Sequence, residues 1–170
     1  VLQEALENKK KIILFWYPKD FTFVCPTEIH AFQSKLSEFE KRNTMVIGAS
    51  CDTPEVHFAW LTTPKDNGGI EGVTFPLIAD STRHLSETLD ILDTEYIGTE
   101  ENYSIEGDNV SYRATFLIDE EGTIFHESVN VMPLGRNVDE YLRLIDGYAH
   151  NQKHGEVCPA NWEEGKEAMS

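Results

Sequence analysis

Six apolar residues in succession, Ile12–Tyr17 (IILFWY), follow the basic turn Lys9–Lys11 and end at Pro18. An unbroken run of this length predicts a central strand buried on both faces. Ahead of it, Val1–Asn8 has only weak helical spacing. After the short loop Asp20–Val24 the period lengthens. Ile29, Phe32, Leu36 and Phe39 form the stripe of one amphipathic helix, with Pro26 at its favoured first position. Met45–Ser50 (MVIGAS) predicts a second buried strand. Asp52 or Thr53 then caps a helix that starts near Pro54 and holds Val56, Phe58, Ala59, Trp60 and Leu61. Thr62–Thr74, with Pro64 and the pair Gly68–Gly69, reads as a loop, Leu77–Ala79 as a short strand and Thr82–Leu92 as a helix.

Asp93–Asn109 carries six acids and no base, and reads as an exposed peripheral loop. Ala114–Asp119 and Ile124–Val131, joined by the turn Glu120–Gly122, predict a hairpin. Asn137–His150 is amphipathic, and Asn151–Ser170 is a polar tail. Early alternation of strand and helix with a late antiparallel hairpin predicts an α/β fold whose central sheet is mixed in direction. No repeat is visible in the 170 residues. They fit one domain, residues 1–150, followed by a C-terminal segment, residues 151–170.

Composition narrows the function. With 40% apolar residues the chain has material for a core, and its net charge of −16 is repelled by DNA and by anionic membrane surfaces. No run of about 18 apolar residues is present to span a membrane, and the mixed start VLQEALEN does not read as a signal peptide. The three cysteines, Cys25, Cys51 and Cys158, are too few for a secreted disulfide scaffold, and no CxxC pair occurs. A cytoplasmic protein with one or two working thiols is the expectation. The histidines are scattered without ligand spacing, so neither a metal nor a bound cofactor is expected.

Cys25 lies between the first strand and the helix opened by Pro26. There, free backbone N–H groups and the helix dipole favour a thiolate, which is the nucleophilic form. Thr22 is close enough in sequence to bring its hydroxyl beside the sulfur, and Pro18 stiffens and shields the loop. Spacing alone leaves open the plainer reading, a small core hydrophobe. Arg113 heads a strand of mostly apolar residues, where a permanent cation would favour an anion nearby. By spacing it reads slightly better as an exposed edge charge. Glu28 and Arg136, taken singly, read as solvated surface.

The stretch Phe15–Glu28 (FWYPKDFTFVCPTE), with its pattern Pro18-x-x-x-Thr22-x-x-Cys25, resembles the active-site signature of the peroxiredoxins. It is closest to the typical two-cysteine group that includes the alkyl hydroperoxide reductase C proteins and the thioredoxin peroxidases. Gly48–Asp52, Phe75–Asp80, Tyr112–Asp119, Gly135–Glu140 and His154–Trp162 resemble further family segments, in family order. The resemblance implies a thioredoxin-like fold and a thiol-dependent peroxidase acting on hydrogen peroxide and organic hydroperoxides. It makes Cys25 the peroxidatic cysteine, oxidised to a sulfenic acid. Thr22 and Arg113 would hold the peroxide, Pro18 would shield the loop, and Glu28 and Arg136 would fix Arg113. Cys158, in the tripeptide Val157-Cys158-Pro159, would resolve the sulfenic acid of a second copy of the chain as an intermolecular disulfide. Electrons would come from thioredoxin or a dedicated flavoprotein disulfide reductase. The chain would be a homodimer that assembles into a ring of dimers. Cys51 is expected to be a structural filler.

Family members extend beyond both ends of this chain, so the ends read as trimmed or short. The loop Gly68-Gly69-Ile70-Glu71-Gly72 matches the Gly-Gly-Leu-Gly loop of oxidation-sensitive members only in part, and no Tyr-Phe pair follows Cys158. A redox-regulated holdase chaperone or a thiol redox relay is the alternative within the same resemblance. A disulfide oxidoreductase of the thioredoxin type is disfavoured by the missing CxxC.

Overall fold

A computed structural model describes all residues, Val1–Ser170. Five strands form one sheet: β1 (Lys11–Trp16), β2 (Thr44–Ser50), β3 (Leu77–Ala79), β6 (Arg113–Ile118) and β7 (Ile124–Asn130), in the order β3-β2-β1-β6-β7. The β1–β2 and β2–β3 pairs are parallel; β1–β6 and β6–β7 are antiparallel. The mixed sheet expected from the pattern is therefore present. Its strands are joined or covered by α1 (Leu2–Glu7), α2 (Cys25–Ser34), α3 (Leu36–Lys41), α4 (Pro54–Leu61), α5 (His84–Thr88) and α6 (Val138–His154).

The central place of β1 explains its composition. Alternate side chains of a strand leave by opposite faces. Ile13 and Phe15, with Tyr17 just beyond the strand, enter a core with Ile29 and Phe32 of α2, Trp60 of α4 and Tyr141 of α6. Ile12, Leu14 and Trp16 enter a second core on the other face, with Ala5 of α1, Ile47 of β2 and Phe116 of β6. Both faces are dry, so no polar alternation appears in the sequence.

Three expectations need correction. The single helical stripe from Pro26 to Phe39 is two helices, because Lys35 leaves helical geometry (φ −104°, ψ 6°). Phe32 and Phe39 still share the core, which is why the stripe looks continuous. The helix read over Thr82–Leu92 shrinks to His84–Thr88. Arg83 and Asp90 both take the left-handed conformation and bracket it, and the Asp80 carboxylate accepts from the Leu85 and Ser86 N–H groups at its start. The region Asp93–Asn109 is not a plain loop. It holds an antiparallel ribbon apart from the main sheet, β4 (Glu95–Thr99) and β5 (Asn102–Glu106), with Tyr96 opposite Ile105. No helix is long and apolar enough to cross a membrane.

Candidate active site

Cys25 is the first residue of α2 and is fully buried. Pro26 follows at a position where a missing N–H costs the helix nothing. Arg113, at the head of β6, crosses to it from the sheet. Its Nη1 lies 3.4 Å from the Cys25 sulfur and 2.7 Å from Glu28 Oε2, and its Nε donates to the Met132 carbonyl at 2.6 Å. Arg113 is only 5% exposed. The reading of it as an exposed edge charge is thereby overturned.

Glu28, one turn along α2 from Cys25, faces both arginines. It takes Arg136 through Nε and Nη2, each at 2.9 Å, while also accepting from Arg113. The Arg136 backbone N–H adds a bond of 3.0 Å. Nη1 of Arg136 donates to the Ala114 carbonyl, and its guanidinium lies 5.1 Å over the Phe15 ring. Two buried cations share one carboxylate. An anion at Cys25 would complete the charge balance of a cluster that water cannot screen. Glu28 and Arg136 are thus not solvated charges; their side chains are 3% and 1% exposed.

Pro18 and Thr22 line the same cavity as Cys25 and Arg113. The Thr22 hydroxyl donates to the Lys19 carbonyl at 3.0 Å, which leaves its oxygen able to accept as well. Cys158 is elsewhere. Its thiol donates to the Gly147 carbonyl of α6 at 3.5 Å, in a separate cavity that Arg143 and Tyr148 also line. The tail around it is folded, with Trp162 buried and Val157 paired to Met169. Within one chain the structure therefore does not bring Cys158 to Cys25. Cys51, just past β2, is buried with its sulfur 3.6 Å from the Ser86 hydroxyl; burial pushes its thiol up, away from the reactive anion.

Sequence reasoning missed the group that holds the Cys25 loop. Asp20 accepts from the Tyr17 hydroxyl at 2.8 Å and pairs with His57 Nδ1 at 2.7 Å, while its own N–H donates to Asp52. His57 Nε2 faces the Ile78 carbonyl at 3.2 Å. Both ring nitrogens face oxygens that can accept, an arrangement that favours a ring protonated on both. Burial opposes that charge, but the hydrogen bond and charge of Asp20 outweigh it and raise the His57 pKa. A raised folded-state value means the stabilisation is fully present below the unfolded value of about 6.5 and fades as pH rises through the folded one. Chemical denaturation should therefore show His57→Asn costing more stability at pH 6 than at pH 9; an equal cost at both would mean a neutral ring. The available signal was helical spacing: His57 and Trp60 share the buried face of α4.

A thioredoxin-like α/β sheet with a buried cysteine at a helix start, facing an arginine, defines a thiol enzyme. Residues 2–127 match the AhpC/TSA family, and residues 148–170 match the C-terminal domain of 1-Cys peroxiredoxin. The chain is 46% identical over 162 residues to alkyl hydroperoxide reductase C of Helicobacter pylori, covering 95% of this chain and 75% of that one. It is 44% identical to peroxiredoxin-1 of Gekko japonicus, covering 94% and 74% of the two chains. Among solved structures, reduced 2-Cys peroxiredoxin of Plasmodium vivax superposes with a TM-score of 0.85 at 42% identity, covering 95% of this chain and 77% of that one. The chain belongs to the AhpC/TSA family and is a peroxiredoxin, a thiol-dependent peroxidase.

Proposed function

We propose that Cys25 is the peroxidatic cysteine and that the chain works as a two-cysteine enzyme with Cys158 as its resolving thiol. The observation that carries the first half is the single Arg113 nitrogen within reach of both the Cys25 sulfur and Glu28. The thiolate attacks one oxygen of a hydroperoxide, ROOH. The O–O bond breaks, the sulfur keeps that oxygen as sulfenic acid, and RO⁻ leaves with the bonding pair and is protonated to ROH. Arg113, and Thr22 if its hydroxyl turns to the cavity, bind the oxygens and stabilise the charge that develops on the leaving one. Pro18 limits water at the loop. Glu28 and Arg136 position Arg113.

Cys158 then attacks the sulfenic sulfur, forming a disulfide and releasing water. Separate placement of the two thiols within one chain supports a bond to Cys25 of a second chain. Residues 1–150 act as the catalytic unit and residues 151–170 as the segment that reaches across. The unpaired edge of β7 supports strand-to-strand pairing of two copies. Phe23, 97% exposed beside Cys25, and Phe58, 70% exposed on α4, support a second contact that closes dimers into a ring. Thioredoxin or a flavoprotein disulfide reductase returns two electrons and two protons, in a reducing compartment such as the cytoplasm.

The test is a non-reducing gel after one equivalent of hydrogen peroxide. Wild type should run as a covalent dimer. Cys158→Ser should run as a monomer, consume a single equivalent and fail to cycle with thioredoxin; Cys51→Ser should behave as wild type. A monomeric oxidised wild type with Cys25 bonded to Cys51, or a Cys158→Ser variant that cycles normally, defeats the proposal.

A further inference from the structure

The cavity beside Cys25 is larger than hydrogen peroxide requires. Its volume is about 480 Å³, within the ~300–1,000 Å³ range of small-molecule sites. Phe23, Val24, Val110 and Met132 give it an apolar wall against which an organic tail can lie. Two charges stand in the same wall outside the Arg113–Glu28–Arg136 cluster. Lys19 comes from the loop after β1, and Asp108 from the chain leaving the β4–β5 ribbon. Both are exposed, and neither has an opposite charge within 4.0 Å.

Asp108 is held on both sides. Gly107 turns the chain with φ +101°, at a point where a Cβ would come within 2.5 Å of the Asp93 carbonyl oxygen. The Asn109 N–H donates to that same carbonyl at 3.0 Å, and the Asn109 carbonyl accepts from Arg83 Nε at 2.9 Å. The carboxylate is therefore carried to the cavity by a fixed piece of backbone.

The geometry points to Asp108 as a charge gate: the cavity takes uncharged organic hydroperoxides and turns away those that carry a carboxylate. The gate rests on the reading of Cys25 as the peroxide-reactive thiol. A cleft with low-dielectric walls focuses the field of the charges at its mouth. Arg113 is buried at the inner end beside Glu28 and the sulfur, so Lys19 is the cation exposed at the mouth that could draw in an anion. Asp108 offsets it. Without Asp108 the mouth would be net positive and would favour anionic hydroperoxides despite the acidic surface elsewhere.

Two probes that differ only in charge test this: a straight-chain hydroperoxide ending in a carboxylate, and its methyl ester. The readout is the rate of Cys25 oxidation in single-turnover mixing of the reduced protein near neutral pH and low salt. Wild type should react several-fold faster with the ester. Asp108→Asn should raise the acid-to-ester rate ratio about three- to tenfold, and Lys19→Gln should lower it. Both shifts should shrink at about 0.5 M salt, where charges are screened over a few ångströms. A ratio unmoved by Asp108→Asn, or a wild type that takes acid and ester equally, overturns the gate. Hydrogen peroxide in the same mixing separates the two levels. Cys25 oxidised by it with an unmoved ratio defeats the gate alone, whereas Cys25 inert to it defeats the peroxidase assignment of that residue as well.

Discussion

Replacing Cys25 by serine is expected to lower peroxide consumption by at least about 10³-fold, to the level of the reagents alone. The hydroxyl of serine stays protonated at neutral pH, and oxygen is a harder, poorer nucleophile toward the O–O bond than a thiolate sulfur. Nothing else in the site can take over. Arg113, Arg136 and Glu28 are bound to one another, Cys51 is buried beside Ser86 with its thiol pushed toward the protonated form, and Cys158 faces another cavity. The variant should fold, since serine is smaller and its oxygen can still accept from Arg113 Nη1, which sits 3.4 Å from the sulfur. Peroxide loss followed by absorbance, with circular dichroism as the check on folding, decides it. Turnover beyond a trace in a folded variant would assign the chemistry to another cysteine.

The second large effect is expected at a residue with no direct part in bond making. Glu28→Gln removes the one carboxylate shared by two buried arginines. Its amide can still accept, but it brings an N–H₂ against guanidinium donors and takes from the two cations the carboxylate they share. Breaking a buried pair in this way costs about 3–5 kcal/mol. For a chain of this size each kcal/mol lowers Tm by about 2–4 °C, so a fall of about 10 °C is expected. Arg113 loses its anchor at the same time, and oxidation of Cys25 by hydrogen peroxide should slow by roughly 10²-fold, the scale of one preorganised donor. Thermal unfolding and stopped-flow oxidation measure the two separately. A variant with unchanged Tm and unchanged rate would show that Met132 and the sheet hold Arg113 without Glu28.

The core of this fold is legible where a residue's neighbours in sequence are also its neighbours in space. The run Ile12–Tyr17 reads as a doubly buried strand because β1 is the middle strand, and Pro26 marks the helix start beside Cys25. The β4–β5 ribbon is hidden because its acids mask the alternation that sets Tyr96 and Gly98 opposite Ile105 and Tyr103. Both of its strands are wholly exposed, so no buried stripe announces it. In the site, Glu28 and Arg136 are reached from sequence only through family resemblance. Their bond spans 108 positions, and a charge at either end looks like surface until the sheet closes. The Tyr17–Asp20–His57 group escapes for the same reason: the Asp20–His57 bond joins a loop to a helix 37 positions away.

That long span also sets a schedule. A ribosome adds roughly 5–20 residues per second, so Cys25 exists for about 5–20 s before Arg136 has been made. For most of that interval Arg113 is missing too, and Cys25 has neither guanidinium beside it. On the proposed reading of Cys25, its reactivity toward peroxide would rise only when β6 docks against β1 and carries Arg113 to the sulfur. An unfinished or unfolded copy would then have no special appetite for oxidant, and oxidation would be confined to chains in which β6 has already found its place in the sheet.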